Sequence, residues 1–474
     1  MSSAEHDVLD LFEQSASRFE FDNGVTRTGP ELVDDGRRIA AWLGAQGVVP
    51  GDRVGVHLHN RVEYLQLLLA CAAGGFVAVS VNTRYSDAEV TELIERSGAR
   101  IIDLPNVATS PPDWARSEPV ERVPRRGDPF VVFTTSGTTS RPKMVLHRQH
   151  SIADHAAHAA VGVGYRPDDT VMAVMPLCGI FGLSSLLIAV ASGARIIITD
   201  YDLERTAELI KSERVTCLNG TDDLFHRLLD HGADLSSIRL GGYARFNTSL
   251  DGVVERAEAA GATLTGLYGM SEVQAMLNLR DPAGDAAERT RVGGTLTSVH
   301  AEYRIVDGEL QLRGPSLFAG YLAEGGGHVD AELTAANHDD GWFRTGDLAE
   351  PENDRSFEFV ARMGDVLRLG GFLVSPAEIE AVLMDDAHVD AAQVVAVDQP
   401  TGARPVGFVV LAPGNGEAFD EDAAIARCRA RLARYKVPVR VLVVDEFPTT
   451  PGPNGTKIQK TRLRDLAAAA LVVD

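Results

Sequence analysis

The chain has 474 residues and carries 67 acidic against 45 basic side chains, a formal charge of −22. That balance excludes a protein that coats nucleic acid, because a basic face is what releases counterions from phosphates, so any polyanionic ligand has to be held by local positive groups. At roughly 100–200 residues per domain the length predicts two to four units, and 45% hydrophobic residues can supply their cores. Four cysteines (Cys71, Cys178, Cys217, Cys428) show neither CxxC nor Cys/His spacing. A disulfide framework and a zinc site are therefore not expected, and a reducing, cytoplasmic setting is. Residues 1–7 lack a basic stretch followed by an apolar one, so no secretion signal is expected.

In chain order, residues 34–43 place apolar side chains at helical spacing and run on to Gly47, a glycine suited to the position past a helix end. A strand over 53–58, a helix over 61–73 and a strand over 76–81 follow, and Ser86 with Glu89 forms a capping box for a further helix. Strands alternating with helices predict parallel sheets covered by helices. Residues 104–128 are rich in proline and charge without a sustained period and read as a surface connection.

After an apolar strand over 130–133 comes Thr134-Thr135-Ser136-Gly137-Thr138-Thr139-Ser140-Arg141-Pro142-Lys143. Backbone N–H groups freed by Gly137, hydroxyls from Thr135, Ser136, Thr138 and Thr139, and the Lys143 ammonium can together replace the hydration of a polyphosphate. The loop departs from GxxxxGK(S/T), since Pro142 stands where that pattern needs its second glycine. On its own it is equally a solvated Ser/Thr-rich linker.

No charged residue occurs from Val171 to Ala194, a length that can cross a bilayer. Pro176, Gly179, Gly182, Ser184, Ser185 and Gly193 divide it, so a buried strand, loop and helix is expected and not a membrane span. Further strands are predicted over 195–199, 215–218 and 263–267, with helices over 203–212 and 222–229. The texture changes near Arg362. A strand over 356–360 precedes it, and a compact segment follows: helix 376–383, strands 392–397 and 406–411, helix 421–435 and strand 439–444. A domain boundary is expected at 361–366. Residues 448–455 form a proline- and glycine-rich loop leading to Lys457.

Three further clusters occur in order: Gly266-Leu267-Tyr268-Gly269-Met270-Ser271-Glu272, Gly341-Trp342-Phe343-Arg344-Thr345-Gly346-Asp347, and Arg362 through Glu380. With the loop ending at Lys143, this order and separation resembles the adenylate-forming superfamily of acyl- and aryl-CoA ligases, nonribosomal peptide adenylation domains and firefly luciferase. The resemblance runs from about Asp34 to Leu463. The fold it implies is α/β: a large N-terminal domain (1–361) of parallel-type sheets covered by helices, a hinge (362–366) and a small mobile α+β C-terminal domain (367–474). The activity it implies is attack of a carboxylate on the α-phosphate of Mg2+-bound ATP, then transfer of the acyl group from the adenylate to a thiol, coenzyme A first among acceptors.

The resemblance also implies roles. The segment from Ser136 to Lys143, with Thr135 before it, grips the β- and γ-phosphates. Tyr268 and Gly269 flank the adenine, where an aromatic face can stack on a base. Ser271, in place of the usual threonine, bonds the α-phosphate, and Glu272 holds Mg2+, a hard cation suited to oxygen ligands. Asp347 accepts both ribose hydroxyls and Arg362 adds a second nucleotide contact. Lys457 reaches the reacting carboxylate and α-phosphate, with Lys460 as its rival and Thr456 in place of the usual glycine. Gly364 sits at the hinge, where Asp or Lys is common, and Gly371 lines the tunnel for the thiol arm of coenzyme A. Gly179, Phe181, Asn219, Gly242, Tyr243 and Met270 belong to the acyl pocket. Ser375, Pro376 and Glu378 have a sufficient reason in helix capping.

Ser140 and Met144 replace loop glycines, and Gly179 stands where a gating histidine or aromatic is common. No charged side chain is placed to hold a substrate amine, so an apolar or aromatic acid is expected. The acceptor alternatives are a carrier-protein thiol, an amine, or nitrite in the diazotisation of an aryl amine. A homodimer and a carrier protein remain open as partners; a nucleic acid or membrane partner is not expected. The rival reading is a nucleotide-binding regulator with a degraded site, motivated by Ser140, Met144 and Gly364 and opposed by Glu272, Asp347, Arg362 and Lys457.

Overall fold

A computed structural model describes residues 7–102, 113–121, 125–135, 142–246, 252–363, 366–369, 372–397, 399, 403–412, 419–452 and 455–472. Three sheets fill the first 362 residues. The first has six strands in the order Gly320–Tyr321, Met144–Arg148, Pro129–Thr134, Val77–Ser80, Arg53–Val56, Arg100–Ile101. Its last four strands are parallel, and the strand Met144–Arg148 folds back antiparallel on Pro129–Thr134. A second, five-stranded sheet runs Cys217–Leu218, Thr170–Ala173, Arg195–Ile198, Arg18–Phe21, Thr26–Thr28, parallel but for the terminal hairpin.

The third sheet has ten strands and is mixed. It begins parallel (Gly220–Thr221, Gly241–Ala244, Leu264–Met270) and turns antiparallel from Leu264–Met270 onward, through Gln274–Leu279 to Trp342–Asn353 and Ser356–Arg362. Parallel sheets were expected throughout. Part of the difference follows from the connections: the links after Met270, Val306 and Asn353 are too short for the crossover of a dozen or more residues that a parallel neighbour needs, while other antiparallel pairs join strands far apart in the chain.

Local signals explain most boundaries. The first long helix is Gly29–Ala45, five residues longer at its start than the apolar spacing suggested. Thr28 and Glu31 form a reciprocal capping box there, with Thr28 N–H donating to Glu31 at 2.7 Å and a proline in the first turn. The expected box at Ser86 and Glu89 starts the helix Asp87–Ser97. The charge-free stretch resolves into the strand Thr170–Ala173 and the helix Ile180–Ser192, whose residues 180–190 are all buried. Among the described residues no helix is long and apolar enough to cross a membrane. The connection over 104–128 is not wholly superficial, since Trp114 is 3% exposed and joins the main core through the short turn Asp113–Arg116. A single buried aromatic leaves no period to read.

Three of the buried hydrophobic clusters draw on residues 8–357 and two on residues 367–467. The later part is a three-stranded sheet (Val389–Val397, Arg404–Leu411, Arg440–Val443) with helices Pro376–Met384, Glu421–Arg431 and Lys460–Val472. The helix expected over 421–435 stops at Arg431, and Arg434–Lys436 forms a separate tight turn. Residues expected as a loop before Lys457 instead pair as a hairpin, Thr449–Gly452 with Gly455–Ile458.

Candidate functional site

The phosphate-type loop leaves and returns at one place. Thr134 pairs with Met144 across the sheet, Thr135 N–H donates to the Lys143 carbonyl at 2.9 Å, and Lys143 N–H donates back to Thr135 Oγ1 at 3.3 Å. Both ends are held by side chains of one region: Tyr85 Oη lies 3.0 Å from Thr134 Oγ1, and Arg96 Nη2 donates to the Pro142 carbonyl at 2.9 Å while its Nε meets Glu324 at 3.0 Å. Met144, at a position where the resemblance places a glycine, is 2% exposed and packs with Val79, Val132 and Leu322. Its side chain belongs to the core. Ser136, Gly137, Thr138 and Thr139 lie outside the described residues, as do Ser140, Gly364 and Gly371.

From this base Lys143 reaches toward the mixed sheet. Its Nζ is 3.4 Å from Asn337 Oδ1 and 4.5 Å from the centroid of the Tyr321 ring. The Tyr321 hydroxyl donates to Glu272 Oε1 at 3.0 Å. Glu272 is 5% exposed. Burial raises its pKa, opposed by the Tyr321 hydrogen bond and by the positive charges of Arg362 and Lys143.

The turn that carries Ser271 and Glu272 joins Leu264–Met270 to Gln274–Leu279, and the strand after it holds unusual backbone, with φ of 69° at Gln274 and 60° at Met276. Such conformations persist only when their surroundings over-determine them. Here His147 Nε2 lies 2.7 Å from the Ser271 carbonyl, His155 Nε2 lies 2.7 Å from the Ala275 carbonyl, and Gln274 Nε2 donates to the Ser151 carbonyl at 2.6 Å. Because carbonyls only accept, both imidazoles carry the proton on Nε2. Burial lowers each to about 4, so both are neutral at neutral pH. Phe318 N–H fixes the Glu272 carbonyl at 2.8 Å. Gly269 is required, since a Cβ there would lie 2.5 Å from the Gln274 carbonyl oxygen.

Asp347 and Arg362 face each other across the antiparallel pair Trp342–Asn353 and Ser356–Arg362. Arg362 Nε is 3.0 Å from Asp347 Oδ1, and the Tyr268 hydroxyl donates to Asp347 Oδ2 at 2.5 Å. The ion pair is off the hydrogen-bond axis, so Oδ1 remains a buried acceptor without a hydrogen bond among the described residues. Burial pushes the Asp347 carboxyl up to about 6, against the pull of Arg362 and Tyr268. The Tyr268 ring packs edge-on against Phe357 and tilted against Phe359, with centroids at 5.5 and 5.7 Å, and its hydroxyl also lies 3.6 Å from Met270 Sδ.

The residues expected around the acyl group divide. Asn219 and Gly242 come together: Gly242 N–H donates to Asn219 Oδ1 at 3.0 Å, and a Cβ on Gly242 would lie 2.7 Å from that oxygen. Asn219 Nδ2 donates to the hydroxyl of Tyr165 at 2.7 Å. Tyr243, the next residue along the strand, points to the other face, where its hydroxyl donates to the Thr290 carbonyl at 2.6 Å. Gly179 caps the helix Ile180–Ser192, and Phe181 is buried in the main core. Lys457 lies in the strand Gly455–Ile458, opposite Thr450; its side chain is outside the described residues. Ser375 and Glu378 form the expected capping box, and Glu378 also pairs with Lys436.

Tyr321, Asn337, His147, Arg96 and Tyr165 carried no sequence signal, because each lies outside the ordered clusters and meets the site only through the fold. Among the described residues no three His, Cys, Asp or Glu side chains form a metal cage. Mg2+ needs none: it is commonly held by one or two carboxylates and by substrate phosphates, and the buried Glu272 beside Lys143 fits that donor set.

A model of the AMP-binding enzyme family matches residues 12–322, and one of the AMP-binding enzyme C-terminal domain matches residues 378–452. A methyl-dioxo-octahydroindenyl-propanoyl:CoA ligase of Mycobacterium tuberculosis is 33% identical over 93% of this chain and 94% of its own. A feruloyl-CoA synthase of an Amycolatopsis species is 29% identical over 90% of this chain and 92% of its own. The solved structure of o-succinylbenzoate coenzyme A synthetase from Bacillus subtilis, in complex with ATP and magnesium, is similar with a TM-score of 0.80 at 24% identity, covering 95% of this chain and 98% of that one.

Proposed function

Because the chain belongs to the AMP-binding enzyme family, we propose that it is an ATP-dependent acid–CoA ligase acting on an apolar or aromatic carboxylic acid. The observation that carries this reading is the convergence of two buried acids and two cations. Glu272 feels both Lys143 and Arg362, and Asp347 feels Arg362 and Glu272. Acids and cations so placed match the parts of a metal-bound nucleotide.

In the first half-reaction a carboxylate oxygen of the acid attacks the α-phosphorus of ATP, the bond to the β-phosphate breaks, and pyrophosphate leaves. Asp347 accepts the ribose hydroxyls, held in place by Tyr268 and Arg362. Ser271 bonds the α-phosphate, while Thr135, Ser136, Gly137, Thr138, Thr139 and Lys143 hold the departing phosphates. Glu272 would hold Mg2+, which when bound offsets the negative charge that gathers on the phosphates. Lys457 supplies an ammonium to the same charge from the small domain. In the second half-reaction the thiol of coenzyme A loses its proton, its sulfur attacks the acyl carbon, and AMP departs with the bridging oxygen. Holding the reactants in line is worth on the order of 7–11 kcal/mol.

The proposed units are 1–361, a hinge over 362–366 turning at Gly364, and 367–474, with Gly371 on the thiol tunnel. The two groups of hydrophobic clusters, one ending at Phe357 and the other beginning at Leu367, support that division. Relatives named for a feruloyl and a bicyclic propanoyl group support an acid with a ring, and Asn219 with Tyr165 and Gly242 forms the polar part of the proposed acyl site. Four free, buried cysteines support a cytoplasmic location. A homodimer and a carrier-protein acceptor stay within the proposal as secondary partners.

The test is a panel of carboxylic acids assayed for pyrophosphate release with and without coenzyme A. One AMP and one thioester formed per acid consumed is the expected result. Turnover without coenzyme A, supported by an amine, a carrier protein or nitrite, replaces the acceptor. Binding of Mg2+-bound ATP with no acid-dependent pyrophosphate release from any acid leaves a nucleotide-binding regulator instead.

A further inference from the structure

We propose that Tyr321 is a positioning residue of the nucleotide site, its hydroxyl orienting the Glu272 carboxylate and its ring face seating the Lys143 ammonium. The inference rests on the ligase reading above. One side chain then sets the relation between the acid assigned to the metal and the cation assigned to the phosphates.

The backbone around Tyr321 is fixed from both sides. Tyr321 pairs with Val145, two residues beyond Lys143 in the neighbouring strand, and its N–H donates to Thr334 Oγ1 at 3.0 Å. The ring is 1% exposed and packs edge-on against Phe318 with centroids at 4.9 Å. Phenylalanine would fill that space equally well. What phenylalanine lacks is the hydroxyl, and a buried hydroxyl is costly unless it is bonded. Here it finds Glu272 Oε1 at 3.0 Å, within hydrogen-bond range of the carboxyl group.

The opposite partner is the ammonium. Lys143 Nζ at 4.5 Å from the ring centroid is within the range of a cation–π contact, and Asn337 Oδ1 at 3.4 Å holds it from the side. Lysine has a flexible four-carbon stem, so a seat on an aromatic face removes freedom that phosphate binding would otherwise have to remove. Direct contact between Lys143 and Glu272 would neutralise both groups before any ligand arrived. The phenol keeps them apart and holds each in place.

The experiment uses the full chain and calorimetric titration with ATP, first without metal and then with Mg2+, on the wild type, Tyr321→Phe and Tyr321→Leu, with thermal unfolding as a control on folding. Tyr321→Phe should bind metal-free ATP within about twofold of the wild type, while the gain in affinity on adding Mg2+ falls about tenfold, the scale of a lost hydrogen bond to a charged group. Tyr321→Leu should lose that gain and also bind metal-free ATP about threefold more weakly, as loss of the cation–π seat requires. Should the leucine variant fail to fold, the phenylalanine variant decides alone. A Tyr321→Phe protein with a wild-type response to Mg2+ overturns the role of Tyr321 and leaves the ligase reading standing. A wild-type chain that binds no ATP in either condition overturns both.

Discussion

The Tyr268 hydroxyl donates to Asp347 Oδ2 at 2.5 Å, joining the strand Leu264–Met270 to a residue that lies 79 positions later. This bond leaves the other carboxylate oxygen to Arg362 and to whatever binds the site.

Asp347 is placed against its own stability. Its carboxyl is pushed up to about 6 by burial, so the folded state prefers the protonated acid, and stability falls as pH rises from the ordinary carboxylate range through about 6. Asp347→Asn should therefore be more stable than the wild type by about 1–3 kcal/mol at pH 7.5 while losing nucleotide binding. Thermal unfolding beside AMP calorimetry checks it; a destabilised variant would show that Arg362 depends on the charge. In the wild type, AMP affinity should decline as pH drops below about 6, and Tyr268→Phe should move that midpoint upward by removing a bond that favours the ionised form.

His147 and His155 act with the opposite sign. Each is held near 4 by burial, below its ordinary value of about 6.5, so the unfolded chain binds protons that the folded chain refuses. Stability is complete above about 6.5 and is lost as pH falls toward 4, by about 3 kcal/mol for each histidine. Urea unfolding of the wild type at pH 7 and pH 4.5 measures this loss against the opposing gain from the raised carboxyls of Asp347 and Glu272. His147→Gln, which keeps a donor for the Ser271 carbonyl, should flatten that dependence.

Arg96 bears on the loop without touching ligand. Its pair with Glu324, 62% exposed on the acid's side, contributes little, but the bond to the Pro142 carbonyl holds one end of the loop. Arg96→Ala should raise KM for ATP about three- to tenfold with kcat nearly unchanged. Steady-state kinetics at saturating acid decide it, an equal fall in kcat being the outcome that counts against a holding role.

Lys457→Ala should abolish acid-dependent pyrophosphate exchange and largely spare thioester formation from supplied acyl-adenylate. Exchange that persists in the variant moves the role to Lys460 or to another residue.

What could be read from the sequence was what repeats locally or lies in ordered clusters. The alternation that leads to the six-stranded sheet, the box at Ser86 and the breakers between Val171 and Ala194 are all short-range signals, and each became an element. The antiparallel half of the third sheet was not legible, because strand direction depends on which distant strand accepts the pair. Tyr243 shows the same limit at one residue: it adjoins Gly242 in sequence and leaves on the opposite face. His147 and Tyr321 were invisible for the same reason, their partners lying 124 and 49 residues away.

Met363 N–H donates to the Gly346 carbonyl at 2.8 Å, so the ladder that begins beside Asp347 runs to the residue just before Gly364. If the small domain turns at Gly364, as proposed, it would pivot where that ladder ends and leave Asp347, Arg362 and Tyr268 on their shared sheet, with Glu272 in the turn that joins two of its strands. The adenylate would stay docked as the lysine-bearing strand swings away, and one stationary bench would then serve two successive tools.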